Sequence, residues 1–127
     1  MSKAILDTSA VVAVIRGERG AERVRNIIEG AKISTLNLAE VVAFLTVRAI
    51  SVTSIEHALR EFPLSIEGFD WARAIAAGLL VRKTRHLGLS LADRACVALG
   101  IELALPVFTA DRAWSKLDLP VEIQVIR

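Results

Sequence analysis

The chain is poor in the side chains that bind soft metals or carry redox chemistry. Its 127 residues include one cysteine, Cys96, and two histidines, His57 and His86. A lone cysteine allows no disulfide within the chain and suits a reducing cytoplasm. One helical turn past Asp93, it reads as a small buried apolar residue rather than a ligand or nucleophile. The histidines fall outside every motif described below, so histidine acid–base chemistry is not expected. Ser9, Ser34 and Ser90 have no His or Lys partner in the pattern, which argues against a serine nucleophile. Long apolar runs are missing too. Although 54% of residues are hydrophobic and the mean hydropathy is +0.50, Asp7, Glu40, Arg48 and Glu102 interrupt every run. None reaches the roughly 18 residues of a membrane span. Asp7 also breaks the only N-terminal apolar stretch, so a secretory leader is not expected. With no internal repeat, low-complexity segment or linker, residues 1–127 are expected to form one domain. The apolar excess is read as surface that a partner chain covers.

Charge is close to balanced: 16 Lys and Arg against 14 Asp and Glu, a net of +2. Were four acids neutralised together, 16 basic residues would face 10 acidic ones, a balance that suits a polyanionic partner.

What is present is an alternation of short strands and helices. Lys3 to Leu6, Lys32 to Ser34, Pro63 to Ile66, Pro106 to Thr109 and Val121 to Val125 read as strands. Helices are predicted over Ala10–Ile15, Ala21–Glu29 (ended by Gly30), Leu38–Ile50, a short stretch to Arg60 capped by Thr53 or Ser54, Asp70–His86 and Ser90–Leu103. Trp71, Ile75 and Leu79 form an apolar stripe on the longest helix, and both tryptophans and the four phenylalanines are expected in the core. The pattern predicts an α/β domain with a central, mostly parallel sheet of about five short strands flanked by helices.

Four acids occupy corresponding places in this alternation. Asp7 follows the first strand, Glu40 opens the helix after the second, Asp93 opens the helix after Ser90, and Asp111 follows the strand ending at Thr109. Each has a purely local explanation. Asn37-Leu38-Ala39-Glu40 and Ser90-Leu91-Ala92-Asp93 match the capping-box pattern, and Asp7 and Asp111 can cap the helices after them. A parallel sheet nevertheless gathers such positions along its carboxyl edge. Two carboxylates about 5 Å apart repel by roughly 3 kcal/mol at an effective dielectric of 20, so a nest of four calls for a counter-charge. An all-oxygen, histidine-free ligand set suits Mg²⁺ or Mn²⁺, which can activate water for in-line displacement at phosphorus.

Asp7-Thr8-Ser9, Asn37-Leu38-Ala39-Glu40-Val41, Leu89-Ser90-Leu91-Ala92-Asp93-Arg94 and Thr109-Ala110-Asp111-Arg112-Ala113-Trp114 resemble the motifs of PIN domains, most closely those of VapC-type toxins of toxin–antitoxin pairs. The resemblance covers essentially the whole chain. It implies a metal-dependent endoribonuclease, a homodimer, and a small VapB-type antitoxin that blocks the active site. In that scheme Asp7 and Asp93 bind metal most directly, Glu40 holds a ligand water or orients the attacking one, and Asp111 completes the outer shell. Ser9 and Thr109 match hydroxyl positions that brace these carboxylates.

Basic residues offer candidate RNA contacts. Arg82, Lys83 and Arg85, with His86, could follow a phosphate backbone or merely complement a helix dipole. Arg94 and Arg112 each follow a proposed ligand and could touch phosphate or form surface ion pairs. Other readings are a PIN-type nuclease of housekeeping RNA processing, a small-molecule phosphatase or acyl-phosphate receiver, and a non-catalytic interaction module. The phosphatase reading lacks a second acid two residues after Asp7, and the receiver reading lacks a lysine after a later strand.

Overall fold

In a computed structural model, which describes residues 4–127, five parallel strands form one sheet in the order β3-β2-β1-β4-β5. The strands are β1 (Ile5–Leu6), β2 (Lys32–Ser34), β3 (Ser65–Glu67), β4 (Val107–Thr109) and β5 (Ile123–Val125). Lys3, expected to begin the first strand, lies outside the described residues. The helices are α1 (Thr8–Arg16), α2 (Ala21–Arg25), α3 (Thr35–Val47), α4 (Val52–Arg60), α5 (Trp71–Leu79), α6 (Val81–Thr84) and α7 (Leu91–Leu103). Two 3₁₀ turns, Arg85–Leu87 and Arg112–Lys116, complete the pattern.

Strand alternation divides the core into two layers, because successive side chains point to opposite faces. Leu6, Ile33 and Phe108 pack with Val11, Val24, Val41 and Ile55 on one face. Ile5 and Val107 pack with Cys96, Val97, Leu99 and Trp114 on the other. The chain leaves β1 toward β2 and later returns to β4 on the opposite side of β1. That reversal opens a crevice at the carboxyl ends of β1 and β4, the place where open parallel sheets hold ligands.

Several local expectations are corrected. α3 starts at Thr35 with Ser34 as its cap, the Ser34 Oγ accepting from the Leu36 N–H at 3.2 Å. Asn37 is therefore a buried residue inside the helix, and Glu40 sits in its second turn rather than in a capping box. Ser51, not Thr53 or Ser54, caps α4. α2 stops at Arg25, and residues 26–31 keep Ile27 and Ile28 against the core through i→i+3 bonds such as Ile27 N–H to Val24 O. The long helix from Asp70 is broken after Leu79, where the Arg94 guanidinium takes the Ala77 carbonyl at 3.2 Å and Leu80 turns the chain into α6. Trp71 and Leu79 are 83% and 73% exposed and Ile75 48%, so the apolar stripe of α5 faces outward; it is Ala77, with Ala95 and Ala98 of α7, that packs inward. Arg73 ties this helix down by reaching Glu102 on α7 (3.0 Å) and Glu67 on β3 (2.9 Å), while Lys32 on β2 holds the other Glu67 oxygen at 2.7 Å.

α7 lies so close to the sheet that a Cβ on Gly100 would stand 2.5 Å from Val107 Cγ2 and 3.2 Å from Leu105 O. Gly100→Ala is expected to cost about 1–3 kcal/mol of stability, since a close-packed layer has no room to yield. Gly78→Ala, at an exposed helical position with nothing within 4 Å, should instead stabilise by roughly 0.5–1 kcal/mol. Urea midpoints of the two variants against the parent chain check this contrast in sign.

Candidate active site

Asp7 stands at the end of β1 as the cap of α1 and is 4% exposed. Its Oδ1 accepts the Ala10 N–H at 2.8 Å and the Ser9 hydroxyl at 2.7 Å; its Oδ2 accepts the Thr109 hydroxyl at 2.6 Å. Both hydroxyls are oriented from behind. Ser9 Oγ accepts the Ala110 N–H at 2.8 Å and Thr109 Oγ1 the Asp111 N–H at 3.0 Å, which directs each hydroxyl proton toward Asp7. Two strands and a helix end thus converge on one carboxyl group. Burial pushes its pKa up to about 6, against the pull of the Thr109, Ser9 and Ala10 donors and with added repulsion from Asp93.

The other acids are arranged around this buried one. Asp93 is the third residue of α7 and completes a capping box, its Oδ2 accepting the Ser90 N–H at 2.9 Å while the Asp93 N–H donates to Ser90 Oγ at 3.2 Å. Asp111 is exposed and caps the following 3₁₀ turn, its Oδ1 accepting the Ala113 N–H at 3.0 Å. Asp7, Asp93 and Asp111 line one cleft of about 430 Å³. Glu40 stands behind Thr8, whose hydroxyl donates to Glu40 Oε1 at 2.6 Å and accepts from Asn37 Nδ2 at 3.1 Å. Cys96 lies fully buried beneath the acids; burial and then the charges of Asp7, Asp93 and Glu40 hold its thiol pKa well above the usual range, which makes it an inert core residue.

The donor set fits a hard divalent cation. Every candidate ligand atom is oxygen, and among the described residues Asp93 Oδ1, Asp111 Oδ2 and Glu40 Oε2 accept no hydrogen bond. No three of the acids among the described residues lie close enough to grip one ion directly. An ion that keeps several of its waters, as Mg²⁺ commonly does, needs only one or two carboxylates as direct ligands.

The basic residues singled out in the sequence fall elsewhere. Arg82, Lys83, Arg85, Arg94 and Arg112 do not line the cleft. Arg94 is spent on the Ala77 and Leu89 carbonyls, and Arg112 on the Arg127 carbonyl at 3.1 Å. The cleft cations are Arg16, Arg48 and Arg127, accompanied by Phe44 and by the buried Trp114. No motif marks those three arginines: they come from the ends of α1 and α3 and from the last residue of the chain. Thr8 and Asn37, in contrast, lie within motifs already noted, beside the acids they serve.

A parallel α/β domain with acids gathered at the carboxyl edge, across the β1/β4 crevice, is the class this architecture defines. The PIN domain family model matches residues 4–119, and the chain belongs to that family. Comparison with curated protein sequences finds no match. Among solved structures, similar folds occur in VapBC2 from Rickettsia felis bound to a DNA fragment from their promoter (16% identity, all of both chains, TM-score 0.76) and in a toxin–antitoxin complex from Klebsiella pneumoniae (17%, 95% of this chain and all of that one, 0.74). A third is VapC20 of Mycobacterium tuberculosis, a sarcin-ricin loop cleaving toxin (16%, 94% of this chain and 99% of that one, 0.75).

Because folded Asp7 binds its proton more tightly than it does in the unfolded chain (about 6 against 3.8), its contribution favours folding below pH 4. That contribution, roughly 3 kcal/mol in the metal-free protein, is lost as pH rises from about 4 to about 6 and stays lost above it. In chelator, Asp7→Asn should therefore match the parent near pH 4 and gain relative stability up to pH 7, as read from denaturant midpoints at each pH. Addition of Mn²⁺ at pH 7 should stabilise the parent more than the variant.

Proposed function

We propose that the chain is a divalent-metal-dependent endoribonuclease, the toxin of a type II toxin–antitoxin pair, with residues 1–127 forming one nuclease domain in the cytoplasm. The observation that carries the reading is the shared cleft of Asp7, Asp93 and Asp111 at the sheet's carboxyl edge, with Asp93 and Asp111 each keeping an unengaged oxygen. Family membership and the likeness to the three toxin-system structures support it. RNA as the substrate is consistent with the action stated for the mycobacterial relative.

In this reading Asp7 and Asp93 would hold Mg²⁺ or Mn²⁺, Glu40, behind Thr8, would position a water through its free oxygen, and Asp111 would complete the outer shell. Ser9 and Thr109 fix the Asp7 carboxyl, and Thr8 fixes Glu40. A bound dication supplies an activated water and neutralises charge building on the phosphoryl oxygens. The phosphatase and receiver readings lack residues that their chemistry needs, since Ser9 stands where a second acid would follow Asp7 and no lysine follows a later strand.

Two partners follow. An antitoxin of the VapB type would close the cleft, and a basic side chain entering it would complement the carboxylates. A second copy of the chain would cover the outward stripe of Trp71, Ile75 and Leu79, accounting for the apolar excess.

Asp7→Asn and Asp93→Asn should each lower RNA cleavage by at least about 100-fold, and chelation should abolish it in the parent, since water activation depends on the ion. Mapping the 5′ ends of cut RNA with and without Mg²⁺ measures this; undiminished cutting by cleanly purified Asp7→Asn would refute the roles given. Ile75→Asp should turn the parent's dimer into a monomer in light scattering, and a parent that is already monomeric would remove the α5 interface.

A further inference from the structure

Asn37 is the polar member of the buried stripe of α3. Asn37, Val41 and Leu45 follow one another at four-residue spacing, the first two fully buried and the third nearly so. Val41 and Leu45 pack in the apolar layer with Val11 and Val24. An apolar side chain at position 37 would continue that stripe, so the amide needs a reason other than packing. Its Nδ2 donates to Thr8 Oγ1 at 3.1 Å, whereas its Oδ1 is buried and accepts from no donor among the described residues.

The two ends of that amide are not interchangeable. Thr8 has one hydroxyl proton, and Glu40 Oε1 stands 2.6 Å from the oxygen that carries it. Were the Asn37 Oδ1 turned toward Thr8, two acceptors would compete for that proton. With Nδ2 toward Thr8, the hydroxyl oxygen accepts from Asn37 and its proton is committed to Glu40; the remaining acceptor, the Asn37 carbonyl, is 3.4 Å away. Three residues on two helices therefore form a hydrogen-bond relay with a fixed sense. Thr8 directly follows Asp7, so the relay also registers the second acid against the first.

We propose that Asn37 is a positioning residue for cleavage: it fixes the Thr8 hydroxyl, which in turn holds Glu40 with its second oxygen left for a water. Asn37 does not line the cleft, so it acts only through Thr8. The inference rests on the ribonuclease reading and adds to it a buried residue whose task is orientation. Hydrogen-bond partners behind the groups that surround a metal ion govern activity without touching it. An apolar replacement of similar size removes the relay and takes away the unpartnered Oδ1 with it. Activity should then fall without loss of stability. A side chain kept merely to join α1 to α3 would show the reverse.

The test separates rate from folding. Cleavage of an RNA oligonucleotide spanning a site mapped with the parent chain is followed at saturating Mg²⁺, and urea midpoints are measured in chelator. Asn37→Leu should lower kcat roughly 10-fold with KM unchanged, and its urea midpoint should equal or exceed the parent's. Thr8→Val should lower kcat by at least as much. Because both substitutions act through one hydroxyl, the double variant Thr8→Val/Asn37→Leu should be no slower than Thr8→Val alone. Losses that multiply in the double variant, an unchanged kcat in Asn37→Leu, or a loss confined to KM overturn the relay. A midpoint that falls together with kcat assigns Asn37 to the fold and overturns it as well. In each of these cases metal-dependent cutting by the parent leaves the ribonuclease reading standing, whereas a parent that cuts no RNA overturns both.

Discussion

A carboxyl group buried where two parallel strands end is the constraint from which the rest of the site follows. Asp7 could not hold an ionised side chain at 4% exposure without donors, and the structure gathers three, from Ser9, Ala10 and Thr109. Those donors still do not offset the burial, so the carboxyl titrates near pH 6. A group left in that condition gains from a nearby cation more than a solvated acid would. The same bonds join β1, α1 and β4, so the local requirement of one side chain also fixes how the two halves of the sheet meet. Thr109 reaches Asp7 across 102 positions of sequence, with Ser9 and Ala110 closing the loop from the other side.

Around that centre the remaining acids are placed by ordinary helix chemistry. Asp93 is oriented by the capping box with Ser90 and Asp111 by the 3₁₀ turn it starts; each uses one oxygen for the backbone and leaves the other without a hydrogen bond among the described residues. Local capping and ion binding are thus two uses of the same residue. Glu40 is the exception, since its orientation comes from Thr8 on another helix, and Thr8 is set in turn by the buried Asn37. The tight seating of α7 on β4, permitted by the absence of a side chain at Gly100, keeps Asp93 on the cleft wall.

The outer face of α5 obeys a different rule. Its inward side is made of alanine, and the helix is held by Arg73 between Glu67 and Glu102 rather than by large apolar contacts. Trp71, Ile75 and Leu79 are then available to another surface. An apolar stripe at helical spacing shows that one side of a helix avoids water; it does not say whether its own domain or another chain provides the shelter.

Residue order alone determined the α/β alternation, the parallel sheet and the four acids at strand and helix ends, because period-two and helical patterning and capping are local properties carried by neighbouring residues. It misplaced the start of α3, since Asn37 looks like a cap until Ser34 is seen to take that role, and it placed Trp71 in the core, where the structure has it on the outer face of α5. Only the tertiary structure decided which basic residues face the acids. Arg82, Lys83 and Arg85 form an obvious run yet lie away from the cleft, whereas Arg16, Arg48 and Arg127 are scattered along the chain and meet there. That meeting depends on where helix ends and the chain's last residue come to rest around β1 and β4, a product of long-range packing that leaves no periodic trace in the sequence.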